Sequence, residues 1–160
     1  GPVHYPYPVI RMAEMYLNLA EILIELDALE NTTGRLEEAK GLIDKIRVRA
    51  GIPTIDEAWK KANHPEKANT AEGLREIVRR ERQIEFYLEN PRFWDLRRWK
   101  DAGILGDKVW GMNIEGDTDE TFFVPTELQN IRTFKQAQYL MPIPMTETNK
   151  VPHIVQSPGY

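Results

Sequence analysis

The chain has 160 residues, 41% of them apolar and 29% charged, and carries a formal net charge of −4. That size and apolar content suit one domain with a real core, and the mild acidic balance argues against nucleic acid or an anionic membrane surface as main partner. Cysteine is absent, which excludes disulfides, a thiolate nucleophile and a cysteine zinc site. The apolar runs are broken by Glu before they reach the length of a bilayer, no signal segment is visible, and the opening Gly-Pro without Met reads as a processed or excised piece.

Residues 1–8 contain three prolines and are expected to be extended. Met12, Met15, Tyr16, Leu19, Leu23 and Leu26 recur at helical spacing and predict a first helix that fades in the loop at 30–34. Leu36, Ala39, Leu42, Ile43 and Ile46 predict a second over about 36–50, ending at Gly51 with Pro53 behind it. Two helices on a short loop make a hairpin of the tetratricopeptide kind, although no second copy of the repeat is visible. Thr54 and Glu57 form a capping box that opens a short third helix through Trp59 and Ala62.

After a polar break, Thr70 caps a long fourth helix. On it Leu74, Ile77, Val78, Glu81, Ile84, Glu85 and Leu88 fall on one stripe, so two carboxylates occupy places that the pattern reserves for apolar side chains. Buried carboxylates need bound cations, and Arg47, Arg49, Arg92, Arg97 and Arg98 lie close enough in sequence to supply them. Asn90 and Pro91 are expected to end this helix, and a last amphipathic helix covers 93–102. The predicted fold class is therefore all-α: a tetratricopeptide-like helical hairpin plus further helices over 9–103, then a long irregular loop region over 104–160 whose Gly106, Gly111, Gly116, Asp117 and Asp119 show no helical period. Within it, 139–144 is extended around two prolines and Thr146 is expected to cap a brief helical turn.

The stretch ERQIEFYLENPRFWDLRRWK at 81–100, read as E-R-x-x-E-x-x-x-E-x-x-R-F-W-D-L-x-R-W, resembles the signature of the SusD/RagB family, glycan-binding lipoproteins of the bacterial outer membrane. Three further stretches agree in order and spacing: RMAEMYLNLAEI at 11–22, IRVRAGIP at 46–53, and YLMPIPMTE at 139–147 with QSPGY closing the chain. Together they span nearly all of it. Asn90 and Pro91 stand where the family often has Gly and His, and Ser157 stands in a motif usually written QNPGY. The stretch 107–138 matches none of these patterns. The resemblance implies one domain over 1–160 that is the C-terminal part of a longer SusD-like protein, non-catalytic and without cofactor. It further implies an oligosaccharide ligand, a TonB-dependent transporter as protein partner, and a place on the cell-surface face of the outer membrane through a lipid anchor absent from this chain. The family's sugar contacts come largely from regions upstream of this segment.

Glu81, Glu85, Arg92, Asp95, Arg98 and Arg47 are assigned to a structural ion network. Glu81, Glu85, Glu89 and Asp95 could instead pair as acid and base across a glycosidic bond, but neighbouring arginines would hold them ionised where a general acid needs a raised pKa. Phe93, Leu96 and Trp99 recur at three-residue intervals, so most of the rings Tyr87, Phe93, Trp94 and Trp99 are expected in the core, whereas Trp59, in a short helix before a polar loop, and Trp110, in a glycine-rich loop, are the candidate ligand contacts. His4, His64 and His153 stand alone, and GDTDE at 116–120 lacks the glycine and terminal Glu of a calcium loop, so no metal is expected. Capture of oligosaccharides without catalysis is the leading reading. A tetratricopeptide-like protein-interaction adaptor is the alternative, and a glycoside hydrolase the distant third.

Overall fold

The computed structural model describes residues 9–89, 91–128, 132–151 and 153–160, so the lead-in expected over 1–8 and the breaker Asn90 lie outside the described residues. It is mostly helical, with one two-stranded sheet among those residues. Two compact units divide it, one ending at Arg92 and the other running Phe93–Tyr160. No described helix is long and apolar enough to cross a membrane.

In the first unit, α1 (Met12–Glu30) and α2 (Leu36–Arg49) pack as a helical hairpin. Helix α1 stops at Asn31, whose φ of 53° is the left-handed conformation that asparagine tolerates. The loop is then fixed by the fully buried Asp27. Its carboxylate accepts from the Thr32 hydroxyl (2.6 Å), the Arg35 backbone N–H (2.7 Å) and the Arg35 guanidinium (3.0 Å). Burial pushes this carboxyl up, and those hydrogen bonds outweigh it and hold it below the usual range.

The buried face of α1 is Ala13, Leu17, Ala20 and Ile24, not the stripe through Met12, Met15, Leu19 and Leu26, all four of which are exposed. Tyr16 and Leu23 lie between the two faces, partly buried against the core. Helix α1 carries two apolar stripes, and periodicity alone cannot rank them. The inner one includes two alanines, whose small side chains allow α2 and α4 to approach closely.

Thr54 opens α3 (Ile55–Trp59) with both halves of its capping box, and the Asp44 carboxylate accepts from the Ile55 N–H at 2.8 Å. A 3-10 turn at Pro65–Asn69 leads to Thr70, which caps α4 (Ala71–Glu85) by accepting from the Gly73 N–H at 3.1 Å. Helix α4 ends five residues before the expected break at Asn90. Arg11 donates to the Glu85 carbonyl at 2.6 Å, Phe86 turns inward as the capping residue, and Leu88 takes a left-handed φ of 69°. Leu88 of the predicted stripe is consequently exposed and Phe86 is buried in its place, while Ile84, still inside α4, is exposed as well. Leu17, Ile24, Ile43, Ile55, Leu74 and Val78 are completely buried at the centre, each contributing about 1.5–3 kcal/mol.

The second unit takes in most of α5 (Pro91–Arg98), which Pro91 opens rather than merely ending α4, because a first helical residue needs no N–H. Composition divides the chain near residue 103, but packing divides it at 92. Arg97 donates to the Gln138 carbonyl at 3.2 Å and the Tyr139 hydroxyl to the Lys100 carbonyl at 2.7 Å, tying the end of α5 to a 3-10 turn at Gln136–Tyr139. Strands β1 (Val109–Met112) and β2 (Pro125–Leu128) pair antiparallel with Val109 opposite Leu128. The short α6 (Asp119–Phe122) lies between them in sequence, capped by Thr118. Helix α7 (Met145–Lys150) starts after Pro144, so Thr146 lies inside it rather than capping it. The C-terminal motif is a side-chain clamp: Gln156 accepts from the Ile143 N–H (2.8 Å) and donates to its carbonyl (2.9 Å), while the Ser157 hydroxyl donates to the Met141 carbonyl (2.8 Å). The serine that departs from the family pattern thus has its own partner. Gly159 has φ of 92°, and a Cβ there would stand 2.7 Å from the Ala137 Cβ, so only glycine fits.

Candidate functional site

Glu81 and Glu85 lie one turn apart on α4 and are committed to arginines from two other segments. Arg47, near the end of α2, pairs with Glu81, and both side chains are nearly nine-tenths buried. Arg49 reaches Glu85 at 2.5 Å, and Arg11 pairs with the same carboxylate oxygen. The Arg11 guanidinium also grips Glu89 in a fork, two N–H donors at 2.8 Å each. Arg11 and Arg82 both sit over the Phe86 ring, at 4.8 and 5.5 Å from its centroid.

Arg11 is the member that sequence reasoning missed. It precedes the first helix and belongs to no apolar stripe, and the only signal for it is its place at the head of RMAEMYLNLAEI. Of the other assigned residues, Asp95 is buried and takes Arg98 at 2.9 Å within α5, and Arg92 is half-buried in the first turn of that helix.

Burial pushes the Glu85 carboxyl up, but hydrogen bonds and charge from Arg11 and Arg49 prevail and bring it below the usual carboxylate range. A group held ionised in this way cannot donate a proton as a general acid near neutral pH. The constellation therefore supports packing between α1, α2 and α4 rather than chemistry.

The candidate contact residues fall in different units. Trp59 ends α3 and is partly buried, packed against the core. It walls a cavity of about 360 Å³ together with Glu37, Lys40, Asp56, Lys60, Pro65, Ala68 and Asn69. Trp110 lies on strand β1, not in the loop expected for it, opposite Glu127 and 60% exposed. Two rings expected in the core are open instead: Tyr87 is 75% exposed and Trp94 55%. Tyr87 follows the early end of α4. Trp94 comes one residue before the buried Asp95 and Leu96, which turns it about 100° or more away from the buried face of α5. Phe93 and Trp99 are half-buried, with Phe93 under the Arg97 guanidinium at 3.5 Å from the ring centroid.

Comparison with known proteins follows the same outline. The sequence matches the SusD family over residues 3–160. Among solved structures, BT4246 in its selenomethionine form is 32% identical with a TM-score of 0.79, covering 99% of this chain and 25% of that one. A second BT4246 structure is 33% identical with a TM-score of 0.78, covering 99% and 24% respectively. A SusD-like protein, BF3747, from Bacteroides fragilis NCTC 9343 is 35% identical with a TM-score of 0.70, covering 98% of this chain and 28% of its own. The chain thus spans about a quarter of the length of these relatives. No curated protein matches the sequence. With a family match over almost every residue and relatives of the same fold at about one-third identity, the chain belongs to the SusD family.

Proposed function

We propose that this chain serves in the capture of oligosaccharides, as the C-terminal part of a longer SusD-like protein that works without catalysis, cofactor or metal. In this reading the full protein is anchored by lipid to the cell-surface face of the outer membrane and hands its ligand to a TonB-dependent transporter. The observation that carries the reading is the family match over 3–160. Membership in a longer chain is supported by the relatives' greater length and by the outer face of α1. There Met12, Met15, Leu19, Ile22, Leu26 and Leu29 repeat at alternating steps of three and four residues, the seam spacing of packed helices, with every one exposed. Trp59 and Trp110 are the contacts this segment offers.

The test uses the full-length reading frame. The purified protein is titrated calorimetrically with a panel of plant and host oligosaccharides, and the membrane fraction is examined for co-purification with a TonB-dependent transporter. Saturable heat with one oligosaccharide class and recovery of the transporter are expected. No binding across the panel together with no transporter would overturn the reading and favour the adaptor.

A further inference from the structure

The cavity beside Trp59 has a chemistry that selects its ligand. Its walls come from α2, α3 and the Pro65–Asn69 turn, and its volume of about 360 Å³ lies within the range of small-molecule sites. At one side stands Lys40, whose side chain is only 5% exposed, held by Glu37 at 2.5 Å and Asp56 at 3.0 Å. Burial pulls this ammonium down, but the two carboxylates outweigh it and keep it protonated. Two of its three donors are taken, which leaves one for a guest. Glu37 and Asp56 are both more than half exposed and retain free lone pairs, and Asn69 adds an amide that both donates and accepts.

Charge in the lining cancels: Glu37 and Asp56 against Lys40 and Lys60. An anion would meet two carboxylates, and a cation two ammonium groups. An apolar guest would strip water from four charged groups and an amide without replacing the lost hydrogen bonds. What remains is a neutral molecule dense in hydroxyls, each able to donate to a carboxylate and accept from Lys40 or Asn69, with an apolar C–H face to lie against the indole.

We infer that this cavity is a subsite for one neutral pyranose ring, packed on Trp59 and hydrogen-bonded to Lys40, Asp56 and Asn69. The inference gives the glycan-capture reading a contact within this segment and rests on that reading for the choice of sugars over other polyols. It separates the two tryptophans: Trp59 has an enclosing wall of polar partners, whereas Trp110 is a ring on an open strand.

The experiment uses the 160-residue chain and its indole N–H signals in ¹H–¹⁵N spectra, each assigned by single Trp→Phe substitution. Glucose, galactose, mannose and N-acetylglucosamine are titrated separately, with sorbitol and inorganic phosphate as controls. At least one pyranose should move the Trp59 signal saturably with a dissociation constant in the millimolar range, as a small ligand in an open pocket gives. The Trp94 and Trp110 signals should stay in place. Asn69→Ala, at an exposed position, and Asp56→Asn, which keeps the side-chain shape and leaves Lys40 paired with Glu37, should each weaken that binding about tenfold or more with folding checked by circular dichroism, whereas Glu147→Gln on α7 should leave it unchanged. The inference fails if no pyranose shifts Trp59, if phosphate or sorbitol shifts it as strongly, or if the shift survives both pocket substitutions. Because the probes are single sugars on this chain, such a failure leaves oligosaccharide capture by the full-length protein standing. Failure of that capture would not remove a pyranose response seen here.

Discussion

Arg11 and Glu85, 74 residues apart in sequence, meet twice: one guanidinium nitrogen pairs with the Glu85 carboxylate and another donates to its backbone carbonyl at 2.6 Å. The residue just before α1 therefore helps to set where α4 stops. Arg49 shares the same carboxylate from the end of α2, so Glu85 is a knot among three helices.

Arg11→Met should cost about 2–3 kcal/mol, because it keeps an apolar stem near Phe86 while leaving Glu85 with one cation and Glu89 with none of its fork. Glu81→Ala should cost about 3 kcal/mol or more by stranding the buried Arg47 guanidinium. Urea denaturation checks both. A loss under about 1 kcal/mol in each would reduce these contacts to ordinary surface pairs.

The acid side of the stability curve follows from the same carboxylates. Glu85, Asp27 and Glu25 all titrate below their usual range when folded: the first two against the opposing effect of burial, Glu25 chiefly through the Arg75 fork. The unfolded chain then binds protons first as pH falls. Stability is full above the ordinary carboxylate range near about 4, and is lost as pH drops from there through the lowered folded values. Asp44 works the other way, since burial raises its pKa and its ionisation opposes folding. The expected result is a urea midpoint that changes little from pH 7 to 5.5 and falls steeply below about 4. In Glu85→Gln that fall should be shallower and start from a lower midpoint.

Which parts of this were legible in the sequence depends on whether the controlling interaction is local. The bounds of α1 and α2, the capping box at Thr54 and the cap at Thr70 could be read because each depends on residues within a turn or two. The end of α4 could not, since it is imposed by Arg11 from across the unit. Nor could the inward face of α1, where two apolar stripes compete and alanine size decides. The same early stop placed Tyr87 in solvent, and the restart at Pro91 turned Trp94 outward. The arginine partners of Glu81 and Glu85 could be anticipated as a class from charge burial, but Arg11 carries no periodic signal at all.

The two stripes of α1 give a direct contrast. Leu17→Ala should cost about 3 kcal/mol by opening a cavity at a completely buried site. Leu19→Glu and Ile22→Glu, on the outer stripe, should each change the stability of this chain by no more than about 0.5 kcal/mol. Thermal unfolding of the three variants checks the assignment, and a large loss in both outer variants would show that this face is covered.

Two helical glycines should respond with opposite signs. A Cβ at Gly73 would lie 2.2 Å from the Lys67 carbonyl oxygen, a backbone atom of the 3-10 turn that cannot swing aside, so Gly73→Ala should cost about 2 kcal/mol despite alanine's better helix propensity. Gly41, exposed on α2, has nothing within 4 Å of that position, and Gly41→Ala should stabilise by up to about 1 kcal/mol. Equal responses in differential scanning calorimetry would contradict the packing of the turn on α4.

No hydrolase activity is expected from the carboxylates of α4. Glycosidase action needs one carboxylic acid with a raised pKa facing a second carboxylate across the sugar. Here Glu85 is shifted the wrong way by Arg11 and Arg49, and Glu81 is nearly nine-tenths buried against Arg47. Bringing either to a glycosidic oxygen would require breaking an ion pair that helps join α2 to α4. Incubation of the chain with plant and host oligosaccharides should release no new reducing ends between pH 5 and 8. Reproducible cleavage that vanishes in Glu81→Gln, with folding intact by circular dichroism, would overturn the structural reading of these residues.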